Sequence, residues 1–277
     1  MKSKIFLDSG DPAETKEAIR LLGFLDGQTT NPSLISKNPD TAGKKFTKKE
    51  LLGFYKEVVQ EISGLIADGS VSIEVYADRN TTVEEMLGQG REMFSWIPGA
   101  HIKYPTTVTG LEAARLSIAE GMRVNMTLVF SQQQAAAVYA ATRGAKKGDV
   151  FVSPFIGRLD DLGENGMQLI QNILQMYKKG DGHVEVLTAS VRTVEHLLKA
   201  IQLESDIITS PFSVLQEWGR AEAGTLQESF HDKPEVLRPI PYEEISLEQD
   251  WRAFDISHDL TDKGIDRFVQ DWNNLLK

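Results

Sequence analysis

A chain of 277 residues with a formal net charge of −10 is long for one average domain but fits a single α/β barrel, which routinely runs to about 250 residues. The acidic balance argues against a nucleic-acid binder, whose affinity rests on clustered cations, yet it admits a small anionic ligand, which needs only a few local ones. With no cysteine there is no disulfide, thiolate nucleophile or thiolate metal site. The N-terminal "MKSKIFLDSGDP" lacks a signal-peptide apolar stretch and no apolar run approaches 18 residues, so a soluble, cytoplasmic protein without a membrane partner is expected.

Along the chain, short β-branched runs alternate with longer helical patterns. The strand candidates are "KIFLD", "DGQTT", "VSIEVY", "AHIKY", "RVNMTLVF", "VFVSPF", "HVEVLT" and "DIITS". Between them lie stretches such as "AETKEAIRLL", "TVEEMLGQGREMF", "GLEAARLSIAEG" and "GENGMQLIQNILQMYKK", with apolar residues at helical spacing. Eight strand–helix pairs in series imply a parallel sheet, and the count points to one closed (β/α)8 TIM barrel. A doubly wound open sheet is the alternative, but no Gly-rich dinucleotide or phosphate loop follows the first strand. The lysine-rich "SKNPDTAGKKFTKKE" (36–50) reads as a solvated loop leading into a helix. The expected organisation is one domain over 1–277: a barrel to about residue 219, then an extension with Pro234, Pro239 and Pro241, and a closing helix. In that helix Ile265, Phe268, Val269, Trp272, Leu275 and Leu276 form one stripe. It is expected to pack against the barrel; a lid, or a contact in a homo-oligomer, is the alternative.

Chemistry in such a barrel sits at the carboxyl ends of the strands, where side chains alternate between the interior and the helices. In "HIKYPTT" this sets Ile102 outward and Lys103 inward; His101 is expected to lie outward of Lys103. The same alternation separates Leu7 from Asp8, and Ile73 and Val75 from Glu74. It also sets Val124, Met126 and Leu128 against Asn125 and Thr127. Thr29, Asn31 and Ser153 reach the same level. Barrel interiors are normally branched and apolar, so five or six polar strand ends describe a polar pocket in the mouth.

A lysine amine is a nucleophile only when neutral, and its ordinary pKa near roughly 10.4 keeps it charged. Burial disfavours the ammonium while carboxylates favour it, so activation would come from desolvation, with Asp8 and Glu74 moving protons. With a carbonyl substrate the product is a Schiff base, which loosens a neighbouring carbon–carbon bond without metal or cofactor. A salt bridge or a phosphate contact is the plainer use of a strand-end lysine. Histidines 101, 183, 196, 231 and 258 are scattered, so a metal-dependent aldolase with convergent His ligands is not expected.

"DGQTTNPSLI" (26–35), "HIKYPTT" (101–107), "NMTLVFS" (125–131), "VSPFIGRLDD" (152–161) and "ASVR" (189–192), with the closing "LTDKGIDRFVQDWNNLL", resemble the successive signature segments of transaldolases, in that family's order and across most of the chain. The resemblance implies a (β/α)8 barrel with a Schiff-base lysine on the fourth strand, the position of Lys103. It implies that Asp8 moves the substrate hydroxyl proton, that Glu74 acts through a water, and that Thr127 holds that water. Asn31 and Ser153 would hydrogen-bond the dihydroxyacetone portion, with Thr29 on the same floor; Asn125 and Phe155 join the substrate-binding set, and Arg158, Ser190 and Arg192 would bind the phosphate. Two guanidinium forks and a hydroxyl suit a phosphate dianion.

The implied reaction is transfer of dihydroxyacetone between sugar phosphates of the pentose phosphate pathway, such as sedoheptulose 7-phosphate and glyceraldehyde 3-phosphate. The related fructose-6-phosphate aldolases typically carry glutamine where this chain has Glu74, and tyrosine where it has Phe155. A phenyl ring cannot donate the hydrogen bond that helps release free dihydroxyacetone. That pair of residues favours transfer over cleavage. A non-catalytic sugar-phosphate-binding barrel is the alternative of a different class.

Overall fold

A computed structural model describes residues 2–66, 68–221 and 237–277. Eight parallel strands close into a barrel in sequence order, β1 to β8: Lys4–Asp8, Gly27–Thr29, Ser70–Glu74, Ala100–Pro105, Val124–Val129, Val150–Pro154, Val184–Thr188 and Ile207–Ser210. The helices that position the site are α1 (Pro12–Leu22), α2 (Pro32–Ser36), α3 (Lys48–Leu65), α4 (Val83–Phe94), α5 (Val108–Ala119), α6 (Gln132–Ala141), α7 (Ile156–Asp160), α8 (Gly166–Tyr177), α9 (Val194–Gln202), α10 (Phe212–Arg220) and α11 (Asp259–Asn273). The closed barrel and its C-terminal helix are those expected from the strand count; six strands fall within the runs quoted above, while β3 begins one residue before its run, at Ser70, and β4 ends one residue after its run, at Pro105. His231 and Pro234 lie outside the described residues. No helix among those described is long and apolar enough to cross a membrane.

Local chemistry sets the strand-to-helix turns. Asp11 caps α1 through Ala13 N (2.8 Å), with Pro12 in the first turn and Gly23 left-handed at its end. Thr47 with Glu50, and Thr82 with Glu85, close reciprocal capping boxes on α3 and α4.

The outward strand faces pack on the helices as alternation requires. Ile102 and Tyr104 lie against Gly90 of α4, where an added Cβ would meet Tyr104 Oη at 1.9 Å. The inward faces differ by level. Low in the barrel, Phe6 meets Phe151 edge-on at 6.1 Å, and His101 stacks on Phe151 at 4.0 Å. His101 therefore faces the interior, against the expectation. Residues 101 and 103 are two apart, and a strand's period of two puts them on the same side. Ser70 and the carbonyl of Gly148 take its two ring nitrogens (2.7 and 2.8 Å), and burial lowers its pKa to about 3, so it is neutral.

A second departure falls in β5. Leu128 has φ +60° and the β5–β6 register shifts between Met126 and Val129. This bulge turns Leu128 away from the outer helices and towards α11, where it lies against Gly264. Thr261 Oγ1 donates to the Leu128 carbonyl at 2.9 Å, fixing α11 beside the mouth of the barrel.

Candidate functional site

The cavity at the carboxyl end of the barrel has a volume of about 260 Å³. Nine of the expected residues line it: Asp8, Thr29, Asn31, Lys103, Ser153, Phe155, Arg158, Ser190 and Arg192. Three do not. Glu74 lines a small adjoining pocket under Phe268, while Asn125 and Thr127 are fully buried beside the floor.

Lys103 on β4 and Glu74 on β3 are register partners, with Nζ 3.0 Å from Oε2 and both side chains under 5 % exposed. Burial pushes the Glu74 carboxyl above its ordinary pKa, opposed by Lys103 and by Arg158. The backbone of Glu74 is held from outside: its N–H donates to Tyr55 Oη of α3 at 3.0 Å, and that oxygen also pairs with Thr30 Oγ1 at 2.7 Å. Asp8 accepts from Thr29 Oγ1 at 2.6 Å, and Thr29 also pairs with Thr209 at 2.7 Å. Burial raises the Asp8 pKa too, against the pull of Lys103, Thr29 and Lys37.

Polar side chains brace the floor around Lys103. Ser153 Oγ donates to Asn125 Oδ1 at 2.6 Å, and Asn125 Nδ2 donates to Ser72 Oγ at 3.0 Å. Both ends of Asn125 are thus engaged within the barrel, which explains why it does not line the cavity. Asn31 spends its Oδ1 on the first turn of α2, accepting from Leu34 N at 2.9 Å. Thr127 Oγ1 is buried without a hydrogen-bond partner among the described residues, an orphaned group that calls for one.

Opposite these carboxylates stand the cations. Arg158, on α7, lies over the rings of Phe155 (5.3 Å) and Phe268 (5.7 Å); burial works against its charge and Glu74 favours it. Arg192 is held by Asp161 through Nη2–Oδ2 at 2.8 Å. Ser190 adopts φ +58°, a conformation uncommon outside glycine that marks a strained, over-determined loop. The cavity thus joins a carboxylate-flanked lysine to two guanidinium groups and a hydroxyl, donors of the kind that suit an anion.

A family model described as "Transaldolase/Fructose-6-phosphate aldolase" matches residues 5–277. The chain belongs to this family. A probable transaldolase of Dehalococcoides mccartyi is 35% identical over 274 residues, covering 99% of this chain and 100% of that one. One from Cereibacter sphaeroides is 36% identical over 269 residues, covering 97% and 95%. Among solved structures, the 3-hexulose-6-phosphate synthase of Salmonella typhimurium aligns with TM-score 0.51 at 11% identity, over 79% of this chain and 95% of that one. That likeness concerns the barrel alone. As a member of the transaldolase/aldolase family, the chain is an enzyme of the transferase or aldolase kind.

Several residues that line the cavity escape the sequence reading. Arg267, Phe268 and Asp271 of α11 and Ser33 and Lys37 near α2 all line the cavity. Asp271 accepts from Ser33 Oγ and from Arg267 Nε (3.0 Å), tying α11 to α2. The apolar stripe signalled that α11 packs on something, and Phe268 and Trp272 are indeed buried within their own chain. The stripe gives a lid only as an alternative; which of its residues reach the mouth follows from the docking of α11. Lys37 sits in the lysine-rich stretch read as solvated; it is exposed, yet it borders the cavity.

Proposed function

We infer that this enzyme transfers a dihydroxyacetone unit from a ketose phosphate to an aldose phosphate through a Schiff base on Lys103. The observation that carries the reading is the contact of 3.0 Å between Glu74 and Lys103, the latter lining the same cavity as Asp8. In this reading the neutral Lys103 amine attacks the ketose C2 carbonyl. The carbinolamine then loses water, with Glu74 supplying and removing protons through a water held by Thr127, whose orphaned hydroxyl supports that role. Asp8 takes the C4 hydroxyl proton as the C3–C4 bond breaks, and the electron pair flows into the iminium to leave an enamine. The first aldose departs. An acceptor aldehyde then adds to the enamine, Asp8 returns the proton, and water hydrolyses the new iminium.

Arg158, Ser190 and Arg192 would hold the phosphate of donor and acceptor, so both reacting carbons arrive at the same distance from Lys103. Sedoheptulose 7-phosphate with glyceraldehyde 3-phosphate, giving erythrose 4-phosphate and fructose 6-phosphate, is the expected exchange, in the cytoplasmic pentose phosphate pathway. The whole chain would act as one barrel domain with its C-terminal extension. Because the family also contains aldolases, simple cleavage is the second reading; Phe155 in the cavity wall, which offers no hydroxyl, weighs against it.

The test is borohydride reduction in the presence of fructose 6-phosphate, with the modified peptide identified by mass. A covalent adduct on Lys103, lost in Lys103→Ala, is expected. An adduct on another lysine would move the nucleophile, and none at all would support a non-catalytic sugar-phosphate barrel. Free dihydroxyacetone measured in the same mixture separates cleavage from transfer.

A further inference from the structure

We propose that His196 and Asp160 form a positioning pair that sets the Arg158–Ser190–Arg192 cradle, so that recognition of a phosphorylated substrate depends on them and the chemistry at Lys103 does not. The proposal rests on the reading of that cradle as the phosphate site.

The cradle is assembled from two separate segments. Arg158 lies on α7, after β6, whereas Ser190 and Arg192 lie on the loop between β7 and α9. Backbone bonds join them, Ile156 N to the Ala189 carbonyl and Gly157 N to the Ser190 carbonyl, each 3.1 Å. Gly157 permits the approach, since a Cβ there would stand 2.5 Å from the Ser190 carbonyl oxygen and 2.7 Å from Arg192 Nε. These contacts fix how close the segments come. They do not fix how Arg192 leaves the loop.

His196 does. Its Nε2 is 2.9 Å from Asp160 Oδ2, and its Nδ1 accepts the Arg192 N–H at 3.4 Å. One neutral tautomer satisfies both contacts: Nδ1 accepts, so Nε2 carries the proton and donates to Asp160. The other oxygen of Asp160 accepts from Gly166 N at 2.9 Å, anchoring the carboxylate to the first turn of α8. Thr193 Oγ1, the cap of α9, accepts from His196 N at 3.3 Å and holds the imidazole's own backbone.

Adjacent aspartates thus grip one arginine twice. Asp161 takes the Arg192 guanidinium, and Asp160, through His196, takes its backbone. The strained φ of Ser190, two residues before Arg192, persists only where neighbours over-determine it, and the imidazole bridge is one such restraint. His196 does not line the cavity, so its effect on substrate runs through Arg192 and Ser190.

The experiment is steady-state transfer at saturating fructose 6-phosphate, comparing glyceraldehyde 3-phosphate with unphosphorylated glyceraldehyde as acceptor. His196→Ala and Asp160→Asn are expected to raise KM for the phosphorylated acceptor about tenfold, the loss of roughly one good hydrogen bond. Turnover should stay within about threefold, and KM for glyceraldehyde should not move. His196→Gln keeps an amide donor near the Nε2 position and is expected to recover most of the affinity. Equal KM increases for both acceptors, or a lower melting temperature with unchanged KM, would overturn the proposal. Inorganic phosphate binding, read by calorimetry, tests the cradle alone: weaker binding in His196→Ala supports the pair and unchanged binding refutes it. That readout holds even if borohydride trapping fails and the Lys103 reading falls with it.

Discussion

Lys103 Nζ and Glu74 Oε2 face each other at 3.0 Å across neighbouring strands, both all but removed from water. Such a buried pair adds little net stability compared with an apolar filling, so stability alone does not account for placing two charges here. Glu74 is held in a state where protonation is easier than for an ordinary glutamate, because burial outweighs the attraction of Lys103. Glu74→Gln preserves shape and removes the exchangeable proton. Turnover is expected to fall about 100-fold or more, the usual contribution of a positioned acid or base, while donor KM changes only a few-fold. Steady-state kinetics check this; a rate within threefold of the unaltered enzyme would take Glu74 out of the proton transfers.

Asp8 offers a prediction in two parts. A base works only when deprotonated, and burial lifts this carboxyl above 3.8, so the acid limb of turnover should lie above the pH expected of a free aspartate. Asp8→Asn should abolish aldose release yet leave borohydride trapping intact. For stability the sign is the reverse of the usual carboxylate. The folded state binds this proton more tightly than the unfolded state, so stability falls as pH rises from the unfolded value near 3.8 through the raised folded value. Asp8→Asn removes that cost. Thermal melts should show the variant more stable at pH 7 and no advantage below pH 3.8; a lower melting temperature at pH 7 would contradict the account.

Phe155 tests the choice between transfer and cleavage. Its ring packs edge-on to Phe130 at 5.9 Å, beneath the Arg158 guanidinium at 5.3 Å, and borders the cavity. Phe155→Tyr adds one hydroxyl, a donor that this position otherwise lacks. Release of free dihydroxyacetone from fructose 6-phosphate should rise about tenfold, the worth of roughly one good hydrogen bond, as transfer declines. A dehydrogenase-coupled assay reads it directly, and an unchanged release rate would show that a hydroxyl here does not govern the fate of the enamine.

Most of the barrel was legible because its signals are local. Period-two runs marked the strands, and the polar strand ends marked Asp8, Glu74 and Lys103 on one interior. What escaped came from irregular backbone or distant packing. The left-handed Leu128 breaks the alternation of β5, and a bulge leaves no mark in a run of apolar residues. Arg267 and Asp271 reach the cavity because α11 crosses the mouth, a placement set by contacts such as Thr261 with Leu128, 133 residues apart. His101 differs in kind: a strand's period of two already sets residues 101 and 103 on one side, so its inward place is legible in the sequence. Tyr55 pins Glu74 from α3, yet within an amphipathic helix it looks like any core aromatic.

Gly264 decides how closely α11 sits on the mouth. A Cβ there would lie 2.6 Å from Leu128 Cδ2 and 2.7 Å from Arg158 Nη1, closer than atoms pack. Leu128 has little room to move, since its side chain is fully buried in the packed core. Gly264→Ala must therefore lift the helix or displace the Arg158 guanidinium. Overpacking of this kind costs about 1–3 kcal/mol, seen as a lower melting temperature. The displaced guanidinium should also raise KM for phosphorylated sugars several-fold. Gly53, on α3, has nothing within 4 Å of an added Cβ, so Gly53→Ala is the control that changes neither KM nor the helix dock. If Gly264→Ala matched that control in both melting temperature and KM, α11 would not be seated on Arg158 and Leu128 as described.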